Sequence, residues 1–455
     1  MKTRKSILVI AAALISMTAL AQNPTDFFLR NYSYRYRLNP AFQSEKAFLG
    51  VGAGAVNVTF DTNMGISSFL FPGENGMVTG FNPSVSADDF MAKLQDLNNL
   101  NLSMNESIIA LGSWSKSGFT TFEANIKAYG SASLPKEFMK FLKVGGVDQT
   151  YDMSGLNLNG KVYAEVAFGH SRAIGDNLVV GARVKALVGL AQMDVTLSKF
   201  DLYTGHDEWR AEMEGDLKGS FPFFVPRTDA DGNLIINQRP PITLEKLKPA
   251  GLGAAVDFGA TYCLGFITLS AAVQDLGLIS WKNNFLGKAQ SSTTYKGADN
   301  IDMNNGGGSQ IGDSVEDALQ QLVDMAKFKA EEASRSSEML PIGVNLGADA
   351  NFGIAHVGAF LSTKKNAVEM LWDGRLGASI TPIKWFCLSA NAGVNNYGKL
   401  AGGAISINAA SVNFYLSGEI NLNKVTPKYY IPLDPVRLSL MTGLNITFGR
   451  RRDVK

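Results

Sequence analysis

The stretch Leu178-Val179-Val180-Gly181-Ala182-Arg183-Val184-Lys185-Ala186-Leu187-Val188-Gly189-Leu190 decides the fold. Every second residue from Leu178 to Leu190 is apolar, whereas Gly181, Arg183, Lys185 and Gly189 share the other face. A β-strand sends successive side chains to opposite faces, so this spacing predicts a strand with one greasy side and one small or polar side. Similar segments recur along the chain, among them 47–60, 193–204, 207–219, 251–263 and 436–449, with breaks at short Gly, Asn or Asp turns such as Gly175-Asp176-Asn177.

Alternation alone also fits a soluble sandwich whose greasy faces point inward. The polar face discriminates. In water it would be rich in Lys and Glu, but around Phe386, Leu388, Ala390, Ala392 and Val394 it is Asn391, Gly393 and Asn395. Charged residues make up 18% of the chain and net charge is +1, which argues against a nucleic-acid groove. With 46 Gly and a mean hydropathy of +0.02, the chain is far less apolar than a helical membrane protein, as expected when only alternate residues face lipid. The sequence therefore predicts an all-β transmembrane antiparallel barrel of about 14 strands, within a range of 12 to 16.

The ends agree with that class. Lys2, Arg4 and Lys5 precede the apolar run Ile7 to Ile15, and Ala19-Leu20-Ala21 offers a small-x-small cleavage site, so 1–21 reads as a Sec signal cleaved after Ala21. The expected location is the outer membrane, with outer-membrane lipid and the barrel-assembly machinery as partners. Residues 22–46, rich in Phe, Tyr and Arg, read as an N-terminal arm or plug, and 47–455 as the barrel. The last strand places Val436, Leu438, Leu440, Leu444, Ile446 and Phe448 on one face close to the C-terminus.

Long insertions near 72–100, 131–156, 220–250 and 282–340 carry two helix signals. Residues 313–333 place Val315, Leu319, Leu322 and Ala326 on one stripe. Near Leu134 to Leu142, Leu134, Phe138, Phe141 and Leu142 gather on one surface, either packed against the loops or exposed as a greasy patch. Trp114, Tyr129, Trp281, Trp385, Tyr397, Tyr429 and Tyr430 lie near strand ends, as an interfacial girdle would. The Gly306-Gly307-Gly308 loop, with Asp299, Asp302 and Asp313, lacks EF-hand spacing and reads as a flexible loop.

The charges expected to face the lumen are Glu123, Lys127, Lys161, Glu165, Arg183, Lys185, Asp257, Asp349, Glu369, Asp373 and Arg375. Their mixed signs on neighbouring strands suggest cross-strand ion pairs, or alternatively a polar conduit. His170, His206 and His356 are isolated from other ligand-type residues, and Ser171 beside His170 points to the opposite face of its strand. No cofactor, metal or catalytic site is expected. Cys263 and Cys387 read as two free thiols or, in an oxidising periplasm, as a disulfide that spacing alone does not establish.

Three motifs carry a family resemblance: Asn39-Pro40-Ala41-Phe42, Gly169-His170-Ser171-Arg172 leading into Val180 to Gly189, and Val273 to Trp281 with its Asp275-Leu276-Gly277 and Trp281. With them the chain resembles a Bacteroidota-type outer-membrane barrel family of unknown function, related to FadL-type and PorV-type barrels. A FadL-like role implies a small apolar or amphipathic ligand. A PorV-like role implies a periplasmic or surface protein partner, and an open diffusion pore is a third class. The resemblance transfers no catalytic residue.

Overall fold

The computed structural model describes residues 24–449 apart from 53, 74–75, 147, 223–224, 236–247, 297–326, 366–369, 410, 423 and 425–434. The signal-peptide reading, Glu369, the Gly306-Gly307-Gly308 loop with its three Asp, Tyr429 and Tyr430 thus lie outside the described residues. So does most of the 313–333 helix reading, and within its remainder Lys329–Glu331 is a strand.

Alternation closes the chain into an antiparallel ring of fourteen places. The first place is shared by β1 (Ala47–Val51) and β2 (Val56–Thr62), both of which pair with the same two neighbours. Then come β3 (Leu97–Trp114), β4 (Phe119–Pro135), β5 (Asn157–Ile174) and β6 (Leu178–Thr204). Outside the ring stands β7 (Glu208–Ser220), and the ring resumes with β8 (Gly251–Leu264) and β9 (Ile267–Trp281). After β10 (Phe285–Lys296), also outside, follow β11 (Gly343–Asn351), β12 (Ala355–Lys365), β13 (Met370–Ile383) and β14 (Phe386–Asn395). The last are β15 (Gly398–Ala409), β16 (Val412–Asn421) and β17 (Val436–Phe448), and β17 returns to β1 and β2.

Closure leaves no sheet edge in the ring, the condition for a β structure in hydrocarbon. On β17, Leu438, Leu440, Leu444, Ile446 and Phe448 are exposed while Ser439, Met441, Asn445 and Thr447 are buried. Val184, Leu252, Phe258 and Leu376 continue the outward apolar belt around the wall, so the greasy faces point out. Short turns such as Gly175–Asn177 and Gly265–Phe266 share a rim with the start of β1 and the end of β17, and the long insertions share the other. In outer-membrane barrels the short-turn rim is periplasmic.

The segments read as separate strands at 177–191 and 193–204 form one 27-residue strand, β6. Its pairing with β5 shifts at Leu190, where Ala191 faces Val162 but Gly189 faces Tyr163. A bulge adds one residue and reverses the alternation, which is why the pattern broke there. About 9–11 residues cross a bilayer, so the end of β6 continues past the membrane. There it leaves β8 and pairs with β7, which pairs with β10. The strand expected at 207–219 exists but belongs to this projecting lobe.

Helices α1 (Ala87–Met91) and α2 (Lys136–Val144) close the lobe. Phe90, Phe138, Phe141, Tyr151, Phe200 and Trp209 share one buried cluster, so α2 packs its apolar stripe inward and presents no greasy patch. The girdle reading fails for Trp281, Tyr129 and Tyr397, which are buried, whereas Trp385 is exposed. Trp281 instead lies against Gly189 and Gly251 at the fork between barrel and lobe.

Leu440, on the outer face of β17, gives a direct test of which side meets lipid. Leu440→Arg is expected to destabilise the barrel by about 2–4 kcal/mol at mid-bilayer depth, read from denaturant unfolding in lipid vesicles. Leu440→Phe should have little effect.

Candidate functional site

The inward face is polar because the strands that send Val and Leu to lipid must send their alternate residues to the lumen. Of the eleven lumen charges expected from sequence, the ten within the described residues are all on this face. They form two groups and two separate pairs.

The larger group lies on the wall from β4 to β9. Arg183 Nη2 donates to Glu123 Oε2 at 2.9 Å, and Lys127 Nζ donates to Glu165 Oε2 at 2.6 Å. Lys185 Nζ lies 2.6 Å from both Asp257 Oδ1 and Asp275 Oδ1. Asp275 adopts a left-handed backbone (φ 56°), and its amide donates to Asp257 Oδ1 at 2.8 Å. Lys364 on β12, which sequence reasoning missed, reaches the same group, its Nζ 3.7 Å from Asp275 Oδ2. Arg37 of the N-terminal segment completes it through Glu123 Oε1.

The second group centres on Arg375, held by Asp373 Oδ2 at 2.6 Å and Glu419 Oε2 at 2.5 Å. Arg437 Nε donates to Glu419 Oε1 at 3.0 Å and stands 3.4 Å from Asp61. Elsewhere Lys161 pairs with Glu338, and Asp349 accepts from Arg30 at 2.7 Å. Glu419, Arg437, Asp61 and Glu338 also went unread, because nothing in strand alternation shows which charges meet across a ring.

Residues 24–42 lie within that ring, since they touch strands on all sides of it. Thr25 Oγ1 donates to Glu419 on β16 at 3.0 Å, and Ser417 Oγ donates to Asp26 at 2.8 Å. Phe27 stacks on Phe360 of β12, its ring centroid 4.7 Å away. Tyr32 and Tyr34 pack on Tyr415, and Tyr34 nestles where Gly50 and Gly54 leave room. Gln274 of β9 donates to Arg37 O, and Asn345 Nδ2 of β11 donates to Leu38 O at 2.8 Å.

The motif residues meet in this contact. Asn39 Oδ1 accepts from the Ala41 amide at 2.8 Å, and its Nδ2 donates to Ala260 O and Ala271 O at 3.1 Å each. A Cβ at Gly181 would lie 2.3 Å from Pro40 O, and one at Gly259 would lie 2.0 Å from Asn39 Oδ1. Only glycine allows the turn that close. Asp275 holds Lys185, Leu276 faces outward, and Gly277 lets β9 lie against Ala255 on β8.

Of the remaining sequence candidates, His356 is not isolated as expected, since its Nδ1 lies 3.7 Å from Asp349 Oδ2, and His170 and Ser171 stay apart. His170 Nδ1 shares a hydrogen bond with Thr120 at 3.0 Å, while Ser171 bonds Gln43 on the other face. Cys263 and Cys387 are free thiols. Among the described residues no three His, Cys, Asp or Glu are placed to hold a metal ion.

Above Pro24, toward the long-loop rim, a cavity of about 80 Å³ has Leu102, Tyr129, Pro341 and Leu371 beside Lys364 and Asp373. At the opposite rim a cavity of about 240 Å³ lies between Arg30, Lys46 and Lys384.

A family model matches residues 40–418, from the Asn39-Pro40 turn through the wall it docks on. The chain belongs to a family of unknown function, DUF5723. No curated protein matches it. Among solved structures it is similar to the Pseudomonas putida toluene transporter TodX, at 8% identity and a TM-score of 0.44, covering 95% of this chain and 99% of that one. The Ralstonia pickettii toluene transporter TbuX matches at 10% identity and a TM-score of 0.45, covering 92% of this chain and 94% of that one. A Pseudomonas aeruginosa FadL homologue matches at 10% identity and a TM-score of 0.42, with the same coverages.

Arg37→Ala leaves the buried Glu123 with one cationic partner fewer, a loss of about 3–5 kcal/mol for a broken buried pair. Amide hydrogen exchange over residues 38–42 should then be faster than in the parent protein while the barrel strands stay protected. Gly181→Leu should do the same by displacing Pro40.

Proposed function

We propose that this protein is an outer-membrane transporter of a small amphipathic molecule, closed at rest by residues 22–46 acting as a plug. The observation that carries this reading is the seating of residues 24–42 across the lumen, directly below the cavity at the long-loop rim. That cavity offers Leu102 and Leu371 to an apolar body and Lys364 and Asp373 to a polar end. Its volume is smaller than the ~150 Å³ that holds a benzene-sized ligand, so passage requires the segment to move.

In this reading the chain is exported by its Sec signal, cleaved after Ala21, and assembled into the outer membrane by the barrel-assembly machinery. A PorV-like accessory role is the second reading. The number of bonds fastening residues 24–42 favours it, since a plug so tied suits a static barrel, and the projecting lobe offers a surface to a partner. An open diffusion pore is disfavoured by the same segment.

Conductance in planar bilayers tests the proposal. The mature protein should be nearly silent, and deletion of residues 22–42 should produce ion-conducting channels. Conductance of the intact protein equal to that of the deletion would overturn the plug. Silence of both forms, with a stoichiometric protein partner co-purifying, would favour the accessory role.

A further inference from the structure

We infer that the charge group on the β4 to β9 wall binds one halide-sized anion in the small cavity at its centre. Arg37, Lys127, Arg183, Lys185 and Lys364 bring five positive charges to this group, and Glu123, Glu165, Asp257 and Asp275 bring four negative ones. One positive charge is left over, on a half-buried side chain (19% exposed) beside eight buried ones, where an uncompensated ion is costly.

The surplus sits at Lys364. Lys127 and Lys185 beside it each reach a carboxylate oxygen at 2.6 Å. The Lys364 ammonium comes no nearer than 3.7 Å and donates no hydrogen bond to any described residue. A second donor points the same way: Arg183 Nε is buried and has no hydrogen-bond partner among the described residues. Both side chains line one cavity of about 20 Å³ whose ten lining residues are five cations, the carboxylates Glu123, Glu165 and Asp275, and the amides Asn105 and Asn125, of which Asn105 Oδ1 is an unpartnered acceptor among the described residues.

Size and charge select the occupant. About 10–15 Å³ by this measure admits one water, so carboxylate and phosphate groups are too large, and a water would leave the extra charge in place. A single negative atom meets both requirements, and chloride and bromide are the available class. Lys364 also lines the larger cavity above Pro24, which gives the ion a route from the long-loop rim. Because Arg37 lines the site, the anion strengthens the seating of residues 24–42. The inference does not depend on what the barrel carries.

The full mature protein in detergent is unfolded in sodium chloride and in sodium gluconate at equal ionic strength, and its crystals are soaked in sodium bromide. The expected result is a midpoint that rises with chloride to a plateau, and an anomalous bromide peak between Lys364 Nζ and Arg183 Nε. In Lys364→Gln, which removes no hydrogen bond to a described residue, the chloride-dependent rise should be lost. Equal midpoints in the two salts would overturn the inference, as would a Lys364→Gln variant that keeps the full rise. Should that variant not fold, the bromide map of the parent protein decides, and no peak in the cavity refutes the site.

Discussion

A closed sheet of fourteen strands is too wide for its own side chains to fill. At about eight strands wall residues meet across the axis, and beyond that the interior holds water or must be occupied by something else. Here residues 24–42 occupy it, and the wall chemistry depends on that occupation. Glu123 is bonded to Arg37, Asp349 to Arg30, and Glu419 to Thr25 as well as Arg375. Several inward carboxylates therefore owe part of their partners to a segment that is not in the wall.

The same strands have to satisfy two solvents. Leu440 faces outward and Ser439 faces in, and the pattern holds until a bulge reverses it. At Leu190 the reversal has a structural use. It marks where β6 stops belonging to the barrel and begins to build a lobe with an apolar core of its own, around Phe200 and Trp209. Trp281 fills the corner between the two regimes, against Gly189 and Gly251. One long strand thus has an apolar exterior in the membrane and an apolar interior beyond it.

Much of this was legible in the sequence because a two-residue period is a local signal. The alternation of 178–190, the inward placement of Arg183 and Lys185, and a helix near Leu134 to Leu142 all follow from neighbours in the chain, although Leu134 still belongs to strand β4 and the helix begins at Lys136. What was not legible depends on distance across the ring. Trp281 near a strand end reads equally as girdle or as core, and only the fork decides. Lys364 follows an unremarkable Ser-Thr pair and gains its meaning from Asp275 on β9, a strand it does not pair with. The motifs quoted as separate marks of resemblance were separate only in sequence. Pro40 rests on Gly181, Asn39 bonds the backbone of β8 and β9, and Asp275 holds Lys185.

Magnitudes also indicate which part of the segment holds it in place. Buried ion pairs contribute little net stability, since attraction roughly offsets desolvation, and water entering an opened lumen would rehydrate Glu123 and Arg183. Aromatic burial is different. Phe27, Phe28, Tyr32, Tyr34, Tyr36 and Phe42 are all buried, and at about 1.5–3 kcal/mol for each large apolar side chain they outweigh the charge contacts. The aromatic leg packs on Phe360, Tyr415 and Phe48, while the polar leg from Arg37 to Ala41 rests on the wall from β4 to β9. An opening of the kind proposed therefore costs least where the polar leg lifts from Gly181 and Gly259 while the aromatic leg stays seated. Exchange of ion pairs for water, on the side of the lumen that carries the charge group, is the motion this interior resists least.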